Sequence, residues 1–133
     1  MTQPVVELAD PLRREILEHC LAELPNEGCG MMAVDGDRVL KVYPTRNQQA
    51  SPIAYTIPAQ QHYDALMDAE SSGWELAGVF HSHPTGPAAM SATDLARVTD
   101  STWLYVVVAL GSGIPVWSGW RAGAEVRIRP ATP

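Results

Sequence analysis

This sequence predicts an α/β (mixed α+β) fold, a single mixed β-sheet flanked by helices, in one domain spanning residues 1–133. Three observations carry that expectation. Segments of helical and strand period interleave along the chain, which favours one sheet covered by helices over separate layers of each type. The stretch from Trp103 to Leu110 is apolar on both faces, as a central strand must be. A chain of 133 residues, 46% of them hydrophobic, can bury one sizeable core and not two.

Asp10-Pro11 opens the first helix, with the carboxylate read as its N-cap. Leu12, Ile16, Cys20 and Leu24 then recur at fours to mark its buried face, and Pro25 stops it. Cys29–Val34 and Arg38–Tyr43 read as strands of a hairpin turned by Asp35-Gly36-Asp37. Residues 44–57 are polar without helical period and are assigned to a loop bordering a site. A second helix begins near Pro58, turns Tyr63, Leu66 and Met67 inward and ends by Gly73. Trp74–His83 reads as a strand and Pro84–Met90 as a loop. Ser91-Ala92-Thr93-Asp94 has the serine-then-acid spacing of a helix start, and a short helix to about Asp100 follows. After the central strand, Gly111-Ser112-Gly113 turns the chain into strands at Ile114–Arg121 and Glu125–Arg129.

Nine Lys+Arg against 15 Asp+Glu leave a net charge of −6, which argues against a nucleic-acid partner, since phosphate neutralisation needs clustered cations. The longest apolar run, Leu104–Leu110, is strand-sized, so no membrane span is expected. The first ten residues carry no basic-then-apolar export pattern, and a cytoplasmic protein with reduced Cys20 and Cys29 is the expectation. Both thiols are read as packing residues.

Chemistry concentrates in His81-Ser82-His83-Pro84, followed by Ser91 and Asp94. On one strand, the two-residue spacing turns both imidazoles to the same face, on the order of 7 Å apart at their origins, a gap one metal ion can bridge at a bent strand end. An aspartate in the first turn of the next helix can return to that point. Two neutral imidazoles and a carboxylate suit zinc and leave a fourth tetrahedral position for water. A His-x-His pair by itself also sits on solvated edges, and a lone acid at a helix start also serves the helix dipole.

The constellation as a whole, His81-Ser82-His83, seven residues to Ser91 and two more to Asp94, resembles the JAMM motif of the JAB1/MPN/Mov34 metalloprotease family. Glu27, in Asn26-Glu27-Gly28-Cys29-Gly30, stands where that family carries an upstream glutamate, and the loop Asn47–Tyr55 also resembles bacterial members. The resemblance runs from the first helix through Leu110 and weakens after Gly111. It implies the JAB1/MPN (cytidine-deaminase-like) fold, one Zn²⁺ with a bound water held by His81, His83 and Asp94, Glu27 as general base and Ser91 as oxyanion donor. A hydroxyl at Ser91 could instead serve as a helix cap, and one rotamer is not expected to fill both roles.

The resemblance further implies a compact bacterial peptidase or isopeptidase similar to the one acting on sulfur carriers. Its substrate would be the C-terminal Gly-Gly tail of a ubiquitin-like sulfur-carrier protein, with release of cysteine or a short tail. That tail is expected to pair with a strand edge beside the metal. A zinc peptidase on other small or cell-wall peptides and a non-catalytic MPN-type scaffold are the alternatives. The chain could also form a homodimer. Nucleobase deamination is set aside, because it needs a Pro-Cys-x-x-Cys pair that Cys20 and Cys29 do not form.

Overall fold

Asp35-Gly36-Asp37 turns the chain as its composition demands: Gly36 adopts φ +56°, a conformation a side chain resists, and the strands on either side pair. In the computed structural model, which describes residues 3–130, these are β2 (Cys29–Asp35) and β3 (Arg38–Thr45), preceded by β1 (Val5–Glu7) and α1 (Asp10–Glu23). There follow α2 (Ala59–Ser71), β4 (Leu76–His83), α3 (Ala92–Ala96), β5 (Leu104–Ala109), β6 (Val116–Arg121) and β7 (Ala124–Arg129). The sheet runs β1-β3-β2-β4-β5-β6-β7, and β1 pairs with both β7 and β3, so the sheet closes on itself. β4 and β5 lie parallel across the α3 crossover, whereas β2 is antiparallel to both β3 and β4.

Strands β2, β4 and β5 are buried along almost their whole length because both faces of the sheet are covered. Alternation along them divides the core. Met32, Phe80, Val106 and Val108 pack with Ile16 and Cys20 of α1, and Met31, Ala33, Val79 and Tyr105 pack with Ala65 and Ala69 of α2. His81 and His83 follow Val79 at intervals of two and therefore face the α2 side.

Close packing at the centre of the sheet requires Gly30. A Cβ there would overlap the Phe80 ring and lie 2.5 Å from the Tyr43 carbonyl oxygen. Gly30→Ala is expected to lower unfolding stability by about 1–3 kcal/mol, a loss read from the urea midpoint at constant m-value. An unchanged midpoint would mean that both the Phe80 ring and the β3 backbone at Tyr43 give way at no cost.

Several expectations are corrected. β1 was not anticipated: three residues are too few to show a period, and they become a strand only by pairing with distant segments, chiefly Arg127–Arg129 and also Arg38. Asp10 is a first-turn acid and not the cap, which is Ala9 with no side-chain bond. Leu24 is 42% exposed because it follows α1 in extended backbone. On α2, Tyr63 and Met67 point to solvent while Ala65 and Ala69 are buried, since methyl-sized side chains let the helix lie close over Met31 and Val79. The loop assigned to 44–57 starts after Thr45, and the strand assigned to 74–83 starts at Leu76. α3 ends at Ala96 and not near Asp100, because Asp100 instead accepts the Thr102 N–H in a turn of its own. Among the described residues, no helix is long and apolar enough to cross a membrane.

Candidate metal centre

Four buried side chains, Glu27, His81, His83 and Asp94, bring one potential ligand atom each within 4.8 Å of one another. Three elements deliver them. β4 ends in His81 and His83, whose Nε2 atoms lie 3.1 Å apart. α3 supplies Asp94, whose Oδ2 lies 3.0 Å from His81 Nε2 and 3.1 Å from His83 Nε2. Glu27 comes from the segment ahead of β2: the register pairs Cys29 with His81, and stepping two residues back along one strand and forward along the other sets Glu27 opposite His83. Gly28 and Ser82 hold that extension, the Gly28 N–H donating to Ser82 Oγ (2.8 Å) and the Ser82 N–H to the Gly28 carbonyl (3.0 Å).

The triangle fits a small metal ion. A tetrahedral ion with ligands at about 2.0–2.1 Å would space them about 3.3 Å apart, close to the 3.0–3.1 Å edges here. Two imidazole nitrogens aimed at one point repel unless a cation or a proton lies between them. The Pro87 carbonyl, 2.9 Å from His83 Nδ1, accepts that N–H and so leaves the Nε2 lone pair available to a metal. Burial depresses the His81 pKa and so keeps its ring neutral, while the bond to Asp94 raises that of His83. Burial acts to raise the Asp94 pKa, yet its bonds to both histidines and to the Ser91 N–H hold it well below the usual carboxylate range.

Glu27 differs from the other three. Its Oε1 is buried and has no hydrogen-bond partner. Burial, reinforced by the Asp94 charge and opposed by His83, pushes its carboxyl up to about 7. The carboxylate borders a cleft of about 210 Å³ shared with His83, Ser91, Pro52, Ile53 and Met90, so it is screened by protein yet open to a small molecule.

Ser91 caps α3: its Oγ accepts the Asp94 N–H at 3.0 Å, and Asp94 Oδ2 in return accepts the Ser91 N–H at 2.9 Å. The cap uses a lone pair of the hydroxyl and leaves its proton to donate, so the two roles held apart above are compatible. Cys29 is not part of the cluster. Its Sγ lies 3.4 Å from Thr45 Oγ1, and burial pushes the thiol up to about 11. The strand edge expected beside the metal is also not available, because at His81 one edge of β4 is taken by Cys29 and the other by Val107.

Sequence reasoning missed Asn47, Tyr55 and Arg97. The Tyr55 ring stacks on His81 at 4.7 Å, and Arg97 donates to the Tyr55 carbonyl at 2.8 Å, tying the end of α3 to that loop. The polar character of residues 44–57 and the resemblance of Asn47–Tyr55 to bacterial family members pointed to this loop, but to no individual residue in it.

A buried histidine pair, a capping-box aspartate and a solitary glutamate on a sheet of this topology define the class of JAMM-type zinc metallopeptidases. Residues 9–123 match the family model described as prokaryotic homologs of the JAB domain, and the chain belongs to that family. The match reaches through β6, beyond the limit at Gly111 suggested by the motifs alone. The chain is similar to a desampylase of Haloferax volcanii, with 32% identity over 80% of this chain and 82% of the relative. It is also similar to a probable TtuB-protein conjugate cleaving protease of Thermus thermophilus, 36% identical over 76% of this chain and 66% of the relative. A solution structure from Desulfitobacterium hafniense superposes with a TM-score of 0.84 at 31% identity, covering 97% of this chain and 94% of that one.

Proposed function

We propose that this chain hydrolyses the bond following the C-terminal Gly-Gly of a ubiquitin-like sulfur-carrier protein, as a peptidase or isopeptidase. Zinc would be held by His81, His83 and Asp94. One observation carries the reading: a buried carboxylate oxygen without a partner, on Glu27, is grouped with three convergent ligand atoms. A protein that used this fold only as a scaffold would have no need of that costly arrangement. The names of the two relatives support the substrate class, one being a desampylase and the other a protease that cleaves protein conjugates.

When bound, zinc supplies Lewis acidity, lowering the pKa of a coordinated water to about 7 and polarising the scissile carbonyl. Glu27 takes the proton of the attacking water and returns it to the leaving amine, a task suited to a carboxyl near 7. The Ser91 hydroxyl donates to the carbonyl oxygen as charge develops there. With β4 paired on both sides, the tail lies in the cleft between Pro52-Ile53 and Pro87–Met90, where glycines permit close approach.

Intact mass spectrometry tests the reading on two substrates, a carrier ending in Gly-Gly-Cys and the same carrier joined through Gly-Gly to a lysine side chain. Loss of the group beyond Gly-Gly from either, absent with chelator, is the expected result. Two unchanged substrates with zinc present in the protein would shift the reading to other small peptides or to a scaffold. Ser91→Ala is expected to lower kcat by about 10²–10³-fold, with a cap loss of about 1 kcal/mol. Ser91→Thr, which keeps the hydroxyl, should recover most of the turnover; equal losses in both variants would reduce Ser91 to a cap.

A further inference from the structure

Glu27 stands outside the sheet ladder, two residues before the first residue of β2, so strand pairing alone does not hold it. Its main chain is held chiefly by the loop between β3 and α2. The Glu27 N–H donates to the Ser51 carbonyl at 2.9 Å, and the Glu27 carbonyl accepts from Asn47 Nδ2 at 3.0 Å. That same amide nitrogen donates to the Ala54 carbonyl at 3.0 Å and lies at a longer 3.5 Å from the Ser51 carbonyl, while Asn47 Oδ1 accepts the Gln49 N–H at 3.1 Å and the Thr56 N–H at 3.2 Å. Asn47 is 4% exposed. Both its donors and both its lone pairs are thus spent on backbone, the full capacity of a carboxamide.

We propose that Asn47 is the positioning residue for the general base: it folds the 47–56 loop around itself and ties that loop to the Glu27 main chain. The inference rests on the reading of Glu27 as the base. One side chain thereby couples the carboxylate to the loop segment whose Tyr55 ring stacks on His81. No other residue type serves all four partners. An aspartate would set an oxygen against the Glu27 and Ala54 carbonyls, and an alanine would leave four backbone groups without their bonds. Ser82 holds the neighbouring Gly28 from β4, so loosening Asn47 leaves the segment attached on one side and displaced, not released.

The test compares Asn47→Asp in the wild-type and Glu27→Gln backgrounds, all as zinc-loaded protein. Expected are unchanged zinc per chain, KM within about twofold, and a kcat lower by about 10–100-fold, the scale of loss from a displacement near 1 Å. In the Glu27→Gln background the same substitution should change the residual turnover less than about twofold, because the base it positions is already gone. Amide exchange followed by NMR should quicken at Glu27, Gln49 and Thr56 and stay unchanged in β5. Equal fold-losses in the two backgrounds, or an unchanged kcat with unchanged exchange, would overturn the proposal. If Asn47→Asp does not fold, Asn47→Ser carries the same comparison, and failure of both to fold would make Asn47 a structural residue only. Full turnover by Glu27→Gln alone would instead overturn the role of Glu27, a separate outcome.

Discussion

Glu27→Gln is expected to lower kcat by about 10²–10⁴-fold while the protein keeps its zinc and its KM. Glutamine retains the shape of the side chain and cannot take a proton, so the loss isolates proton transfer. The pH profile supplies an independent check. Burial pushes the Glu27 carboxyl up from 4.5 to about 7, so in the metal-free protein the base form is lost as pH falls through about 7. A bound cation favours the ionised form, and the acid limb of kcat for the loaded enzyme should therefore lie below about 7. Persistence of the same acid limb in Glu27→Gln would assign it to another group.

The same shift acts on stability with a definite sign. Because the folded pKa lies above the unfolded one, the native metal-free protein binds the extra proton between about pH 4.5 and about 7. Stability contributed at this site is therefore present at low pH and falls as pH rises through that window. Glu27→Gln removes the buried charge, and at pH 8 the metal-free variant should be more stable than the parent by about 1–2 kcal/mol, less than the full shift because the cleft admits water. At pH 4 the two should melt alike. Calorimetry of the metal-free proteins at both pH values reads the difference, and a variant less stable at pH 8 would contradict the assignment of desolvation as the cause.

Removing a proposed zinc ligand has the second large effect. His83→Ala is expected to lose both zinc and turnover, as is chelation of the parent protein. The bond to Asp94 raises the pKa of His83, so zinc must displace a proton from this ring, and affinity should weaken about tenfold per pH unit below that pKa. Titration calorimetry in buffers of differing ionisation enthalpy would count the proton released. Zinc at about 1,000 times its dissociation constant should stabilise the parent by about 4 kcal/mol and His83→Ala hardly at all. Hydrolysis that persists after verified zinc removal would exclude a metal-dependent mechanism. Glu27→Gln and His83→Ala thus separate two roles in one cluster, since only the second should cost the metal.

Local pattern carried much of the architecture. The Asp35-Gly36-Asp37 turn, the doubly apolar β5 and the stop at Gly73, observed at φ +75°, are decided within a few residues of chain, where backbone sterics and side-chain period act. The His81-x-His83 spacing likewise sets two rings on one face whatever surrounds them, and the serine-to-aspartate spacing builds a capping box that aims Asp94. On α2 the inward face includes Leu66 as expected but not Tyr63 or Met67, for an equally physical reason: hydrophobicity favours those two, but the close approach of helix to sheet buries Ala65 and Ala69 instead.

What belonged to tertiary structure alone was whatever depends on partners far along the chain. Closure of the sheet by β1 requires strand pairing with residues 127–129. Glu27 by itself is an ordinary acid after a turn. Desolvation raises its carboxyl to about 7, against the opposing effect of His83, only because the antiparallel register of β2 with β4 carries it into the interior, where Asn47 and Ser82, from two other segments, hold the backbone around it. Residue type and spacing determine which groups can do the chemistry. Register and burial decide which of them meet, because desolvation and ligand convergence arise only when distant segments exclude water together.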